Sequence, residues 1–251
     1  GASIGQGFET AMAQICADAL GVDYRRIKVV HGRTDRIDYG IGAHASRASV
    51  LTGNAVNVTA LKVREKALEM ASELLQAPME KLDIVNGVVV VTDNPDGPSV
   101  TLGEIAEALN PESRSRGDRT PNLSAEEWFY TDHQTYSYGI QLAIVAVDGG
   151  TGDVKIERYL IAYDIGRAIN PKMVEGQLIG GLVQGIGGTL FEEFQYDERG
   201  EPLSVTFVDY LLPTVREVPN PELLLKEDAP SSRNPLGIKG AGEGGINAVG
   251  A

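Results

Sequence analysis

The sequence is poor in cysteine: Cys16 is the single thiol among 251 residues. One thiol excludes a disulfide framework, a Cys-rich zinc site and an iron–sulfur cluster built by this chain alone. Long apolar runs are missing too, and no basic segment followed by an apolar stretch opens the chain. We therefore expect a cytoplasmic protein. Gly1 and Ala251 lack the polar character of natural termini, so we also expect the chain to be a piece of something longer.

Positive charge is also scarce, with 22 Lys and Arg against 35 Asp and Glu and a net charge of −13. Nucleic acids and anionic membrane surfaces bind through clustered Lys and Arg, so we expect neither as a partner. An anion bound to this chain would have to be held by backbone N–H groups or by a few placed side chains.

Apolar periodicity predicts the secondary structure. Helices are predicted over 8–20, 52–76, 102–109 and 171–188, and strands over 26–31, 83–91 (a hairpin), 139–148, 153–164 and 203–210. This pattern indicates an α+β fold with antiparallel sheets, long helices packed on one face and two lobes. The first lobe, an α/β lobe with ligand-contacting loops, spans residues 1–110. The second spans residues 124–251, after an exposed loop at 110–123.

The most informative stretch is Lys239–Gly245, where Glu243 stands among glycines. Backbone without Cβ atoms can approach a bulky ligand closely. We expect Glu243 to lie in a dry, glycine-lined pocket and to face a reacting atom. The alternative is a flexible glycine-rich tail with a solvated carboxylate.

Two other segments are typical of anion or pterin sites. Gly5-Gln6-Gly7 enters the first helix directly, and the N–H groups at a helix start favour an anion. Ala45-Ser46-Arg47 combines small residues with one hydroxyl and one guanidinium, which suits a phosphate or pterin clamp. A plain turn and an ordinary connection with a surface arginine remain the alternatives.

The helix that begins at Asn170-Pro171 carries an unusual load of glycine. Six glycines would each cost roughly 1 kcal/mol relative to alanine in an exposed helix. Gln177 and Gln184 lie seven residues apart and therefore share one face of it. Close approach to a ligand and glycine-mediated helix packing both explain the glycines.

Four of these segments, in this order, resemble the molybdenum-binding subunit of the xanthine dehydrogenase, aldehyde oxidase and aerobic carbon monoxide dehydrogenase family. The resemblance covers nearly the whole chain. It rests on Gly5-Gln6-Gly7, Ala45–Ser49, the block from Asp164 to Gly185, and Lys239–Glu243.

This resemblance implies a molybdopterin-dependent oxidoreductase that hydroxylates an aldehyde, an N-heterocycle or a similar substrate, or oxidises carbon monoxide. It implies that Glu243 is the general base, and that the chain supplies no direct metal ligand. It also implies a molybdopterin cofactor with Mo, in the cytosine dinucleotide form. The residues implied to contact the cofactor are Gln6, Gly7, Ala45, Ser46, Arg47, Gln184 and Gly242.

The resemblance further implies partners: the N-terminal half of the molybdenum subunit, an iron–sulfur subunit with 2Fe-2S clusters and an FAD subunit. We expect the isolated chain to be inactive without them. Two alternatives stay open. One is a non-catalytic cofactor-binding or assembly scaffold of the same fold, and the other is a nucleotide-binding module that uses Gly5–Gly7 as its phosphate turn.

Overall fold

The computed structural model describes residues 1–37 and 39–251, which form two compact units. The first unit comprises Gly1–Ala43 and Leu51–Asp132, and the second comprises His44–Val50 and His133–Ala251. Each unit has its own three-stranded sheet and its own apolar core. Among the described residues, no helix is long and apolar enough to span a membrane.

The first unit packs three helices and an antiparallel sheet of order β1-β2-β3. Its elements are α1 (Phe8–Leu20), α2 (Asn54–Leu75), β1 (Leu82–Val85), β2 (Val88–Val91), β3 (Asn94–Thr101) and α3 (Leu102–Ala108). Buried apolar side chains of α2 and α3 cover one face of the sheet. They are Ala67, Leu68, Met70, Ala71 and Ile105, against Leu82, Ile84, Val89 and Val100.

Local signals set the ends of these elements. Gly21 ends α1 in the left-handed conformation, with φ of 78°. Asn86 and Gly87 form the hairpin turn with φ of 51° and 84°, the combination that a type I′ turn requires. Thr101 and Glu104 form a reciprocal capping box at the start of α3.

The second unit contains β4 (Tyr138–Val147), β5 (Val154–Asp164), α4 (Pro171–Leu190) and β6 (Glu222–Lys226). β4 and β5 pair antiparallel, as predicted, but β6 pairs parallel to β5, so this sheet is mixed. Asn170 caps α4 by accepting a hydrogen bond from the Met173 N–H at 3.2 Å, which confirms the predicted helix start.

One face of this second sheet packs on α4. Leu178, Leu182 and Ile186 of α4 are buried against three residues of β5, namely Tyr159, Ile161 and Tyr163. On the opposite face of the sheet, alternate residues of β4 form a row of apolar side chains that is exposed among the described residues. We call it the outer face of β4; it carries Tyr138, Ile140, Leu142 and Ile144. The α+β class is confirmed by both units.

Two predicted strands are wrong. Residues 26–31 form no strand, because Asp23 caps a short 3-10 turn at Tyr24–Arg26 and the following residues are not paired in a sheet. Residues 203–210 form turns, in which the Thr206 carbonyl oxygen accepts hydrogen bonds from Asp209 and Tyr210. Apolar alternation alone does not supply the neighbouring strand that a ladder needs.

Two strands lack a signal in the sequence. β3 contains Pro95, Gly97 and Pro98, which usually indicate a loop. β6 is five residues long and lies in a stretch rich in proline and charge. Its pairing with β5 joins residues about 60 positions apart, and such pairing leaves no local pattern.

Candidate functional site

The loop that contains Glu243 begins at a buried ion pair. Only 7% of the surface of Lys239 is exposed, and its Nζ donates a 2.6 Å hydrogen bond to Oδ2 of Asp164, the last residue of β5. The Lys239 N–H also donates to the Ile165 carbonyl oxygen at 2.9 Å. These two bonds fix the start of the loop against the end of the strand.

The pKa of Asp164 lies below its ordinary value. Burial has the largest influence and opposes ionisation, but the hydrogen bonds from Lys239 Nζ and the Gly166 N–H, together with the positive charge of Lys239, outweigh it and lower the pKa. Lys239 Nζ also lies 5.1 Å from the centre of the Tyr138 ring, within cation–π range. Asp164 is therefore ionised at neutral pH and holds Lys239 in place.

Ser46 contacts Glu243 through two hydrogen bonds. Its hydroxyl donates to Glu243 Oε2 at 2.9 Å and accepts from the Glu243 N–H at 3.1 Å. Ala45 and Ser46 have φ of 50° and 52°, and the Arg47 N–H donates to the His44 carbonyl oxygen at 3.2 Å. The segment is therefore a tight turn. All these residues belong to the second unit, so the fold brings together two side chains 197 positions apart.

Glycine allows the loop to lie directly on this turn. A Cβ atom on Gly240 would lie 2.4 Å from Ser46 Cβ and 2.7 Å from the Ser46 carbonyl oxygen. A Cβ atom on Gly242 would lie 3.3 Å from Ser46 Oγ and 3.8 Å from Gln177 Oε1. A side chain at Gly240 would therefore displace the Ser46 turn.

The Glu243 side chain is exposed within this chain, which differs from the dry pocket expected from the sequence. The glycines around Glu243 leave space beside it, but because they have no side chains they cannot shield the carboxylate from solvent. Ser46 therefore fixes the direction of the carboxylate, while the described residues leave it open to solvent.

α4 places Gln177 beside the loop and Gln184 two turns further along. Gln177 is half-buried near Gly242, and Gln184 is exposed. Gly181 of the same helix meets the loop backbone, since a Cβ atom there would lie 2.9 Å from Gly245 Cα. Gln177 shares the predicted helix face but was not among the residues implied to contact the cofactor.

Gln6 and Gly7 belong to the first unit, and their role in binding stays a prediction. The Gln6 side chain contacts its own turn: Nε2 donates to the Ala2 carbonyl oxygen at 3.2 Å, and Oε1 accepts from the Ile4 N–H at 2.6 Å. Gly7 precedes α1 with φ of 77°, so this turn leads into the helix as the sequence indicates.

Sequence reasoning missed three residues on the inner face of the second sheet. Gln141 and Tyr163 contact the Glu243 loop, and Tyr159 contacts Gln141. Gln141 stands in β4 at a position whose partner across the sheet, Ile161, is fully buried. A polar residue facing a core needs a hydrogen-bonding partner. Such a residue in an otherwise apolar strand was the available signal.

The groups assembled at this site are suited to hydrogen bonding. They are the hydroxyl of Ser46, the carboxylate of Glu243, the amide of Gln177 and the backbone of the glycine-rich loop. Amides and hydroxyls can bind the polar edge of a pterin without added positive charge, which agrees with the acidic composition. Within the described part of the chain, no group of three or more His, Cys, Asp or Glu side chains could hold a metal ion.

The comparisons with known proteins agree with the family suggested by the motifs. Residues 1–219 match the sequence profile of the molybdopterin cofactor-binding domain. The chain is 42% identical over its full length to subunit gamma of the 6-hydroxypseudooxynicotine dehydrogenase complex of Paenarthrobacter nicotinovorans. It covers 31% of that relative, so it spans about three tenths of the relative's length.

Solved structures show the same fold. The reconstituted CO dehydrogenase from Oligotropha carboxidovorans superimposes with a TM-score of 0.87 at 33% identity, over 98% of this chain and 30% of that one. Quinoline 2-oxidoreductase from Pseudomonas putida 86 gives a TM-score of 0.83 at 35% identity, over 98% of this chain and 31% of that one.

Proposed function

Because this chain belongs to the molybdopterin cofactor-binding domain family, we propose that it forms part of the active site of a molybdenum hydroxylase. In this proposal it binds the molybdopterin cofactor and supplies Glu243 as the general base. The substrate is an aldehyde, an N-heterocycle or a similar compound, or carbon monoxide. The relatives named for 6-hydroxypseudooxynicotine and quinoline favour an N-heterocycle.

The contact between Ser46 and Glu243 is the observation that carries the proposal. A carboxylate on a glycine-rich loop would ordinarily sample many directions. Here the Ser46 hydroxyl binds both the Glu243 carboxylate and its backbone N–H. An exposed carboxylate of fixed direction is what a general base needs, because proton transfer requires a partner within hydrogen-bonding reach.

The cofactor would be held by the residues that the motifs indicate. In the second unit these are Ala45, Ser46, Arg47, Gly242 and Gln184, and we add Gln177 because of its position beside Gly242. We propose the cytosine dinucleotide form, held by amides, hydroxyls and backbone N–H groups. When bound, the cofactor supplies the redox chemistry of its metal, and the protein binds and orients it.

The chain's own residues would then have separate roles. Ser46 fixes the carboxylate through Oε2, and a carboxylate oxygen of Glu243 accepts the proton that the reaction releases. Lys239 and Asp164 hold the start of the loop, so the position of Glu243 is set before substrate arrives. General base catalysis of this kind contributes about 10²–10⁴ to a rate.

The outer face of β4 supports the proposed partner, the N-terminal half of the molybdenum subunit. Ile140 is 72% exposed and Leu142 is 54% exposed, and both lie on one side of the strand. Contiguous apolar surface of this kind is typical of an interface.

We also propose FAD and iron–sulfur partner subunits and a cytoplasmic location. We expect no turnover by the chain alone.

Substitution of Glu243 in the assembled enzyme tests this function. We expect Glu243→Gln to lower turnover at least about 100-fold while molybdenum and pterin stay bound at one per enzyme, because the amide keeps the size of the side chain but cannot take a proton. Glu198→Gln, at an exposed position of the same unit, is the matched control and should leave turnover unchanged. Near-normal turnover by Glu243→Gln would instead support the non-catalytic scaffold.

A further inference from the structure

The backbone that follows Glu243 is held by one side chain of β4. Gln141 Nε2 donates to the carbonyl oxygens of Gly244 and Gly245, at 2.9 Å and 3.2 Å. Both glycines are buried, so these carbonyl oxygens depend on a protein donor. Two buried acceptors adjacent to the proposed base are thus satisfied by a single amide, from a residue about 100 positions earlier in the chain.

Tyr159 fixes which end of the Gln141 amide faces the loop. Its hydroxyl donates to Gln141 Oε1 at 2.6 Å, and only 5% of Tyr159 is exposed. The amide oxygen is therefore engaged on one side, and the NH₂ group is directed to the loop. A rotated amide would place an oxygen against two carbonyl oxygens, which is repulsive. Gln141 is consequently held in one orientation.

Tyr163 adds a second contact at the other end of the loop. Its hydroxyl donates to the Gly240 carbonyl oxygen at 3.1 Å and lies 2.6 Å from Ser137 Oγ. A Cβ atom on Gly244 would lie 2.4 Å from the Tyr163 ring. Burial raises the pKa of Tyr163, as does the negative charge of Glu243, so its hydroxyl stays a donor at neutral pH.

We propose that Gln141, oriented by Tyr159, is a positioning residue that holds the backbone of Gly244 and Gly245 and thereby keeps Glu243 in the place from which Ser46 directs its carboxylate. Ser46 holds Glu243 from its side chain and N–H, and Gln141 holds the residues that follow it. The proposal rests on the proposed role of Glu243. It goes further because it assigns a role to a residue that does not touch the reacting atoms.

The test uses Gln141→Met in the assembled enzyme, because methionine keeps the length and volume of glutamine and removes its donors. We expect kcat per bound molybdenum to fall about 10- to 100-fold, as a misdirected catalytic group does, with KM nearly unchanged and molybdenum content retained. Hydrogen exchange of the peptide spanning 240–250 should become about tenfold faster. Gln134→Met, at an exposed glutamine of the same unit, should change none of these.

Tyr159→Phe is the second variant, since it removes one hydroxyl and leaves the core filled. It should lower kcat per molybdenum several-fold and speed exchange of 240–250 by a smaller factor than Gln141→Met. The proposal is overturned if either variant keeps kcat per molybdenum within twofold of the parent, or if exchange of 240–250 is unchanged. A loss of molybdenum with normal turnover per remaining metal would also overturn it, because that result indicates a merely structural role.

The two proposals fail in different ways. If Glu243→Gln keeps its turnover, the general-base function is wrong, whatever the Gln141 variants do. If Glu243→Gln loses turnover while Gln141→Met keeps it, the function stands and the positioning role is wrong. Exchange of the 240–250 peptide reports on the loop without reference to activity.

Discussion

The hydroxyl of Ser46 binds Glu243 at two atoms, as a donor to Oε2 at 2.9 Å and as an acceptor from the backbone N–H at 3.1 Å. One hydroxyl can do both because it carries one proton and two lone pairs. The carboxylate and the backbone of the same residue are thereby tied to one point. The direction of Glu243 then follows from the position of the Ser46 turn.

Ser46→Ala should therefore loosen Glu243 without removing it. A hydrogen bond to a charged group contributes about 1.5–3 kcal/mol, and the exposure of this carboxylate reduces that figure to about 1 kcal/mol. We expect turnover per bound molybdenum to fall roughly fivefold in the assembled enzyme, as measured by steady-state kinetics with metal analysis. Ser232→Ala, at an exposed serine of the same unit, is the control. Unchanged turnover in Ser46→Ala would show that the contact does not orient the base.

The glycines of α4 should fall into two classes when replaced by alanine. Cβ atoms on Gly181 and Gly185 would lie 2.9 Å from Gly245 Cα and 2.6 Å from the Val249 side chain, whereas a Cβ atom on Gly176 or Gly188 would meet nothing within 4 Å. We expect alanine to destabilise the unit at the first two positions by about 1–3 kcal/mol. At Gly176 and Gly188, alanine should stabilise the unit by up to about 1 kcal/mol.

Chemical unfolding of the purified chain, or hydrogen exchange of α4 within the assembled enzyme, measures these effects. Equal effects at all four positions would contradict the packing explanation for the glycines. Gly176→Ala also bears on cofactor binding. A loss of pterin from a more stable protein would show that the open stretch of the helix is a ligand surface.

Local chemistry explains why much of the fold could be predicted. Gly21 ends a helix, Asn86-Gly87 forms a turn, and Asn170 starts the glycine-rich helix, each through contacts within a few residues. The motifs that suggest the cofactor are similarly local. They indicate the family without reference to any distance in three dimensions.

Long-range pairing could not be predicted in the same way. The wrong strand at 26–31 and the missed strand β6 both depend on which segment lies alongside, and sequence alternation does not give that partner. From the sequence we expected Ser46 and Glu243 to lie in one site, but the hydrogen bonds between them were not predicted. Gln141 was missed because a single polar residue in an apolar strand signals a buried partner but does not identify it.

The outer face of β4 should be needed for assembly rather than for folding of this unit. Ile140→Glu places a charge on a surface that is already exposed, so the unit should fold normally. It should bind the remaining part of the molybdenum subunit at least about tenfold more weakly, because a buried unpaired charge opposes association. Co-purification and molybdenum content measure this effect. Lys155→Glu, at an exposed position of β5, is the control, and normal assembly by Ile140→Glu would exclude this face as the interface.

The ion pair of Asp164 and Lys239 should make the Glu243 loop sensitive to acid. The folded-state pKa of Asp164 is lowered, so its contribution to stability is fully present above the unfolded-state pKa and is lost as pH falls through the folded-state value. We therefore expect the protection of the 237–245 peptide against exchange, corrected for the intrinsic pH dependence of amide exchange, to fall below about pH 4. Lys239→Met should destabilise the loop by about 3 kcal/mol at neutral pH, because it leaves a carboxylate partly buried and unpaired. The double variant Asp164→Asn with Lys239→Met should recover part of that loss and flatten the acid response. If the double variant keeps the parent's acid response, another carboxylate is responsible, and Asp164 does not hold the loop through its charge.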